Sequence, residues 1–248
     1  MQDESTRELN REFNLGRPVA IVTGAGSGIG AAAARMLAAR GHDTVLVGRR
    51  LERLEETRAT LTEPTRHLAM AADLADSGLA AEVVDRTLEA YGRIDALVLC
   101  AGTAPKHPID ETTEEILEEA FFVNAFGPAF LITRAWPHFK SRRAGRIVLV
   151  STLGTVDPFP GFFAYAAAKS AVDSFARSIR AEGRALGIRG FAVNPGAVET
   201  DMLRRNFPEK VLPRHRALTP EAVAEVIVAC ATGERDDESG KSILVPSP

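Results

Sequence analysis

From Pro18 to Val245 the sequence alternates without a break between short apolar, β-branched runs and longer stretches of helical spacing. The runs fall at Val19–Thr23, Thr44–Val47, His67–Ala71, Ala96–Cys100, Arg146–Ser151, Gly190–Asn194 and Ser242–Val245. They read as near-continuous apolar runs, as strands covered on both faces require. Helices are expected between them, near 28–40, 50–62, 78–91, 112–139, 163–186 and 219–232. The last opens with Thr219-Pro220-Glu221, a capping residue followed by proline at the first helical position. Such alternation joins strands through helical crossovers. The expected fold is α/β: a doubly wound, seven-stranded parallel sheet with helices on both faces. No linker, internal repeat or low-complexity run interrupts it, so a polar N-terminal extension (1–17) is expected to precede one domain (18–248).

The first strand runs directly into Thr23-Gly24-Ala25-Gly26-Ser27-Gly28-Ile29-Gly30, and a helical AAAARMLAAR follows. Glycines at a strand-to-helix turn let the backbone approach a pyrophosphate, and the helix N-terminus offers free N–H groups and a favourable dipole. The common GxGxxG/A pattern can be laid on Gly26, Gly28 and Ala31, but TGxxxGxG, through Thr23, Gly24, Gly28 and Gly30, fits better. A tight turn that merely needs glycine is the plain alternative; so many glycines after a first strand favour a Rossmann-type dinucleotide site. The second strand then ends in Gly48-Arg49-Arg50, with no carboxylate where the adenosine ribose lands. Glycine leaves room for a 2′-phosphate and Arg49 offers a planar fork of donors, so NADP(H) is the expected cofactor. NAD(H) stays open, because Arg49 could equally stack on adenine.

Tyr165 and Lys169 stand four residues apart, on one face of a helix. A free phenol titrates near pH 10, too high for a good proton shuttle at neutral pH. A neighbouring cation favours phenolate, so Lys169 is expected to lower the Tyr165 pKa. Only 5 of the 30 basic residues are lysines. Chance would place one there with odds of roughly 2% per tyrosine, and there are two tyrosines.

With these motifs in order, the chain resembles the short-chain dehydrogenase/reductase family, in its compact single-domain branch, over essentially all of Pro18–Val245. The resemblance implies hydride transfer between a nicotinamide cofactor and a small carbonyl or secondary-alcohol substrate. Tyr165 would be the acid/base, Ser151 the hydroxyl that holds the reacting oxygen, and Lys169 the tuning cation. Asn124, in Val123-Asn124-Ala125-Phe126-Gly127, would hold a water that connects Lys169 to solvent. Cofactor contacts are implied at Thr23, Gly24, Ser27, Gly28, Ile29, Gly30, Arg49, Asp73, Leu74, Ala101, Gly102, Tyr165, Lys169, Pro195, Gly196, Val198 and Thr200. The family also implies a homotetramer or homodimer.

Three departures stand out. Leu99-Cys100-Ala101-Gly102 replaces the family's Asn-Asn-Ala-Gly, and Cys100 reads as a small apolar filler beside the cofactor, with a redox role as the alternative. Ser151 lies one residue further from Tyr165 than is common. That makes Thr152 a rival, although Gly154, three residues on, favours Ser151. The C-terminus, Ile243-Leu244-Val245-Pro246-Ser247-Pro248, lacks the family's frequent Asp-Gly-Gly. A competing function is a catalytically inactive nucleotide sensor; such proteins usually lack the tyrosine or the lysine, and both are here.

A net charge of −3 offers no broad basic field for nucleic acid or anionic membrane. The first residues are polar where a secretory leader is apolar, and the apolar runs read as too short to span a membrane. Cys100 and Cys230 lie far apart without metal-ligand spacing, which suits a reduced, cytoplasmic setting and no metal. Phe159, Phe162 and Phe163 fit either a pocket wall or core. Residues 201–216 (DMLRRNFPEKVLPRHR) match the family's substrate-covering loop in position. In it, Arg204 and Arg205 read as solvated charge or as contacts to an acidic substrate.

Overall fold

In the computed structural model, residues 16–248 are described, so the expected extension falls outside them except for Gly16 and Arg17. The strands are β1 (Val19–Thr23), β2 (Asp43–Gly48), β3 (Leu68–Ala71), β4 (Ala96–Leu99), β5 (Gly145–Val150), β6 (Ile188–Pro195) and β7 (Ser242–Val245). All pair in parallel, in the order β3-β2-β1-β4-β5-β6-β7. The helices are α1 (Gly28–Ala39), α2 (Leu51–Ala59), α3 (Ser77–Tyr91), α4 (Glu114–Phe121), α5 (Gly127–Arg142), α6 (Phe163–Gly183), α7 (Asp201–Asn206) and α8 (Pro220–Thr232).

Successive strand side chains point to opposite faces. Ile21, Val45, Leu97 and Ile147 therefore enter one core, against α3, α5 and α6, while Val22, Leu46, Val98 and Val148 enter the other, against α1 and α8. Both cores are apolar, which is why the strands read as unbroken apolar runs. Each large aliphatic side chain buried there contributes about 1.5–3 kcal/mol. The strand order reverses between β1 and β4, and a crevice opens beyond their carboxyl ends.

The expected helix 112–139 is two helices, α4 and α5, joined by a π-helical turn, Phe122–Phe126. A π turn adds a residue to the helical repeat, and here it carries the fully buried Asn124. Helical continuity also corrects the reading of membrane length. The run Glu114–Arg142 is long and, over its most apolar stretch, apolar enough to cross a membrane by length and composition. A third of that stretch is buried in the fold, and Leu131, Ala135 and Phe139 of α5 pack on the sheet. Helix α7 was not expected; Thr200 caps it by accepting from the Leu203 N–H at 3.2 Å.

Candidate active site

The crevice is a cleft of about 810 Å³. At one end its wall is backbone. Gly24, at φ +65°, sits so close to the turn after β4 that a Cβ would lie 2.9 Å from the Ala101 nitrogen. A Cβ on Gly30 would collide with the Gly24 carbonyl. Ser27, Gly28, Ile29 and Gly30 line the cleft at the start of α1, where no side chain caps the N–H groups and no acid occupies the first turn. Free N–H groups, a helix dipole and glycine clearance make a seat for a phosphate, so these residues fit a dinucleotide.

Gly48, Arg49 and Arg50 line the adjoining wall. So does Arg53 in the first turn of α2, which the sequence reading missed. Leu74 lines the cleft as expected, but Asp73 does not. Its carboxylate accepts from the Ala75 N–H at 3.1 Å, folding the side chain back onto its own turn. Thr23 also stays out of the wall. It is buried and accepts from the Ala101 N–H at 3.0 Å, so its role is to tie β1 to the turn after β4.

Tyr165 and Lys169 lie one turn apart on α6, and both line the other end of the cleft. Lys169 is only 4% exposed and donates to the Val150 carbonyl at 2.8 Å. Burial pushes its ammonium down to about 8, against the opposing influence of Cys100 and Asp173. The expected lowering of the Tyr165 pKa is not found in the free chain. Burial pushes the phenol up to about 12, outweighing a hydrogen bond from Thr152 that pulls it down. The Lys169 ammonium is directed to a backbone carbonyl, and at neutral pH Tyr165 stays protonated. Cys100 lines the cleft near Lys169, and burial pushes its thiol up to about 12, which suits an inert filler.

Ser151 and its rival Thr152 both line the cleft, but they are held differently. Ser151 is 2% exposed, and its hydroxyl donates to the Lys169 carbonyl at 3.3 Å. The Thr152 hydroxyl, whose influence pulls the Tyr165 pKa down, accepts from the Gly154 N–H at 3.2 Å. Thr152 is held by a buried clamp absent from the sequence reading. The Asn194 amide donates to the Thr152 carbonyl at 3.2 Å and to the Asp173 carboxylate at 3.0 and 3.1 Å. Asn124 lines the cleft and fixes the turn after β4. Its amide donates to the Ala120 and Thr103 carbonyls, and its oxygen accepts from the Thr103 N–H. A Cβ on Gly102 would lie 2.8 Å from the Asn124 oxygen and 3.4 Å from the Lys169 ammonium, so glycine keeps the space between them open.

Ala101, Pro195, Gly196, Val198 and Thr200 line the cleft as expected. Beyond them residues 201–216 fold over it. Arg204 grips Glu199 and donates to the Leu212 carbonyl at 2.6 Å, and the Asn206 amide donates to the Ala104 carbonyl at 3.1 Å. Phe207 stacks on Phe162 at 5.9 Å, and Phe162 meets the Tyr165 ring edge-on at 5.9 Å. The Lys106 ammonium sits 4.7 Å over the Phe207 ring. Of the three phenylalanines weighed as a wall, Phe159 and Phe162 line the cleft and Phe163 does not.

A sequence profile of the short chain dehydrogenases matches residues 18–211. An uncharacterised oxidoreductase of Listeria monocytogenes is 31% identical over 228 residues, which are 88% of this chain and 92% of that one. A fatty acyl-CoA reductase of Acinetobacter baylyi is 30% identical, over 87% of this chain and 73% of its own. A solved short chain dehydrogenase/reductase family protein superposes with a TM-score of 0.85 at 30% identity, covering 95% and 97% of the two chains. The 3-ketoacyl-(acyl-carrier-protein) reductase of Brucella melitensis, complexed with NADH, also gives 0.85, at 28% identity and 92% and 96% coverage.

Proposed function

The chain belongs to the short-chain dehydrogenase/reductase family and is an oxidoreductase of that class; on that premise we propose that it interconverts a carbonyl and a secondary alcohol with NADP(H), using Tyr165 as acid/base. The family works with nicotinamide dinucleotides. The observation that carries the reading is that Asn124, Ser151, Thr152, Tyr165 and Lys169 line the same cleft as the uncapped start of α1.

When bound, the dinucleotide supplies or accepts the hydride. Tyr165, protonated at neutral pH, gives its phenolic proton to the substrate oxygen in reduction and takes it back in oxidation. The Thr152 hydroxyl donates to that same oxygen and stabilises the charge that develops there. Lys169, with Ala101, Gly102, Pro195, Gly196, Val198 and Thr200, would hold the nicotinamide end. Asn124 would position a water next to Lys169. Arg49 would hold a 2′-phosphate, supported by Arg50 and Arg53 on the same wall. Phe122 and Phe126, exposed along the α4–α5 run, support a homodimer or homotetramer. Two free, distant cysteines support a cytoplasmic setting.

The test is NADPH oxidation across a panel of ketones with wild type and Tyr165→Phe. Turnover should fall about 10²–10⁴-fold in the variant, with NADPH binding retained. Wild type should favour NADPH over NADH in kcat/KM. Full activity in a folded Phe variant would end the tyrosine role, and a coenzyme ratio below one would overturn the choice of NADP(H).

A further inference from the structure

We propose that the substrate is a ketone on an apolar chain that ends in an anionic group, and that Arg205 and Arg216 of the covering loop bind that group. The proposal rests on the hydride-transfer reading above and adds to it the identity of what the loop reads.

Within residues 201–216 the arginines divide into two kinds. Arg204 is paired with Glu199, and Arg214 with Glu209 at 3.2 Å. Arg205 and Arg216 line the cleft and are exposed, and their guanidinium groups have no hydrogen-bond or ion-pair partner among the described residues. Asp201 is the one acidic side chain among the described residues of the cleft wall. A dinucleotide's phosphates already have their donors at the start of α1 and at Arg49–Arg53. The pair on the loop is left over, and a guanidinium facing a cleft is suited to a carboxylate or phosphate.

The apolar part of the wall has the same unfinished character. Phe159 is 57% exposed and Val211 62% exposed, yet both line the cleft, beside Leu153 and Leu212. Large apolar groups left open around a binding cleft fit an apolar ligand segment. A substrate that satisfies all of these features is elongated. Its carbonyl meets Tyr165 and Thr152, its chain lies on Phe159 and Val211, and its charged end reaches Arg205 and Arg216. The carbonyl carbon takes the hydride of NADPH and its oxygen takes the Tyr165 proton, giving a secondary alcohol and NADP⁺; solvent reprotonates Tyr165.

Three matched long-chain methyl ketones test this, ending in a carboxylate, a phosphate monoester or a methyl ester. At low ionic strength both anions should exceed the ester in kcat/KM by about tenfold, through KM, and added salt should shrink the advantage. The carboxylate and phosphate arms show which oxyanion the pair prefers. In the double variant Arg205→Gln/Arg216→Gln the anion-to-ester ratio should collapse towards one. A wild-type ratio near one, with Tyr165-dependent reduction intact, overturns the inference alone. So does a variant whose KM for NADPH rises while the anion-to-ester ratio holds, since the pair would then serve the cofactor. No Tyr165-dependent NADPH oxidation with any ketone of a broad panel would overturn the hydride-transfer reading beneath it.

Discussion

Around Gly24–Gly30 the cleft is walled by backbone packed so tightly that two positions have no room for a Cβ, whereas around Phe207 it is walled by side chains resting on other side chains. The first wall meets a ligand through N–H groups, whose positions are set by the sheet and α1. The second meets it through rings and guanidinium groups on a loop tied down at a few points, Asn206 to Ala104 and Arg204 to Glu199 among them. A backbone wall restricts which residues can build it but reads little more than charge and shape. A side-chain wall can be rebuilt one residue at a time, so substrate choice belongs there.

The contrast breaks most visibly with two glycines. In Gly30→Ala the new methyl meets backbone of Gly24 and Thr23, which cannot yield without moving β1 from α1. Overpacking of this kind costs about 1–3 kcal/mol or more, so the melting temperature should drop by about 5–10 °C and NADPH binding should weaken with it. In Gly154→Ala, on the substrate side, the nearest atoms are Thr152 side-chain atoms at 3.5 and 3.6 Å, an ordinary contact. Its melting temperature should stay within about 2 °C of wild type. Equal losses in the two variants would mean that the halves do not differ in packing.

A smaller effect separates the two hydroxyls at the end of β5. Thr152→Val keeps the shape and removes the proposed donor to the reacting oxygen, so kcat should fall about 10²-fold, with Thr152→Ser close to wild type. Losing that hydrogen bond also removes an influence that pulls the Tyr165 pKa down. In alcohol oxidation, which needs the phenolate, the acid limb of the kcat/KM profile should therefore move to higher pH. Ser151→Ala should cost about 1 kcal/mol of stability, for the bond to the Lys169 carbonyl, and leave kcat nearly unchanged. The reverse pattern would restore the serine role to Ser151.

The same contrast governs what could be read in the sequence. A backbone wall leaves glycines at fixed spacing, and a doubly covered sheet leaves apolar runs, so the strands, the glycine turn and the Tyr165–Lys169 pair were all legible. Ser151 and Thr152 were not separable, because both are hydroxyl residues at the end of one strand, and both line the cleft. The π turn at Asn124 hides within a helical period, and Asp73 looks the same in sequence whether it faces the cleft or its own turn. Asn194 closes an expected strand, but its bonds to Asp173 and Thr152 join segments far apart in the chain. The stacking of Phe207 on Phe162 likewise has no local signature.

The smallest effect tests whether the covering loop is held as weakly as its side-chain construction implies. Lys106 is exposed, with its ammonium 4.7 Å over Phe207 and its stem packed where Gly161, at φ +86°, leaves room. Phe207 in turn rests on Phe162, and Phe162 on the Tyr165 ring, so the cation closes a chain of contacts that ends at the proposed acid. A cation over a ring at an exposed site is worth about 0.5–1 kcal/mol. Lys106→Met keeps most of the stem and removes the charge. The closed loop should then lose about two- to fivefold in population, seen as a rise of that size in the substrate KM, with kcat and the KM for NADPH held. Lys106→Arg, which can lay its guanidinium on the same ring, should restore the wild-type KM. An unchanged KM in Lys106→Met would show that the aromatic stack closes the loop unaided. A rise well above tenfold, abolished by salt, would show instead that Lys106 meets the substrate's charge directly, and the substrate wall would then be more electrostatic than its rings suggest.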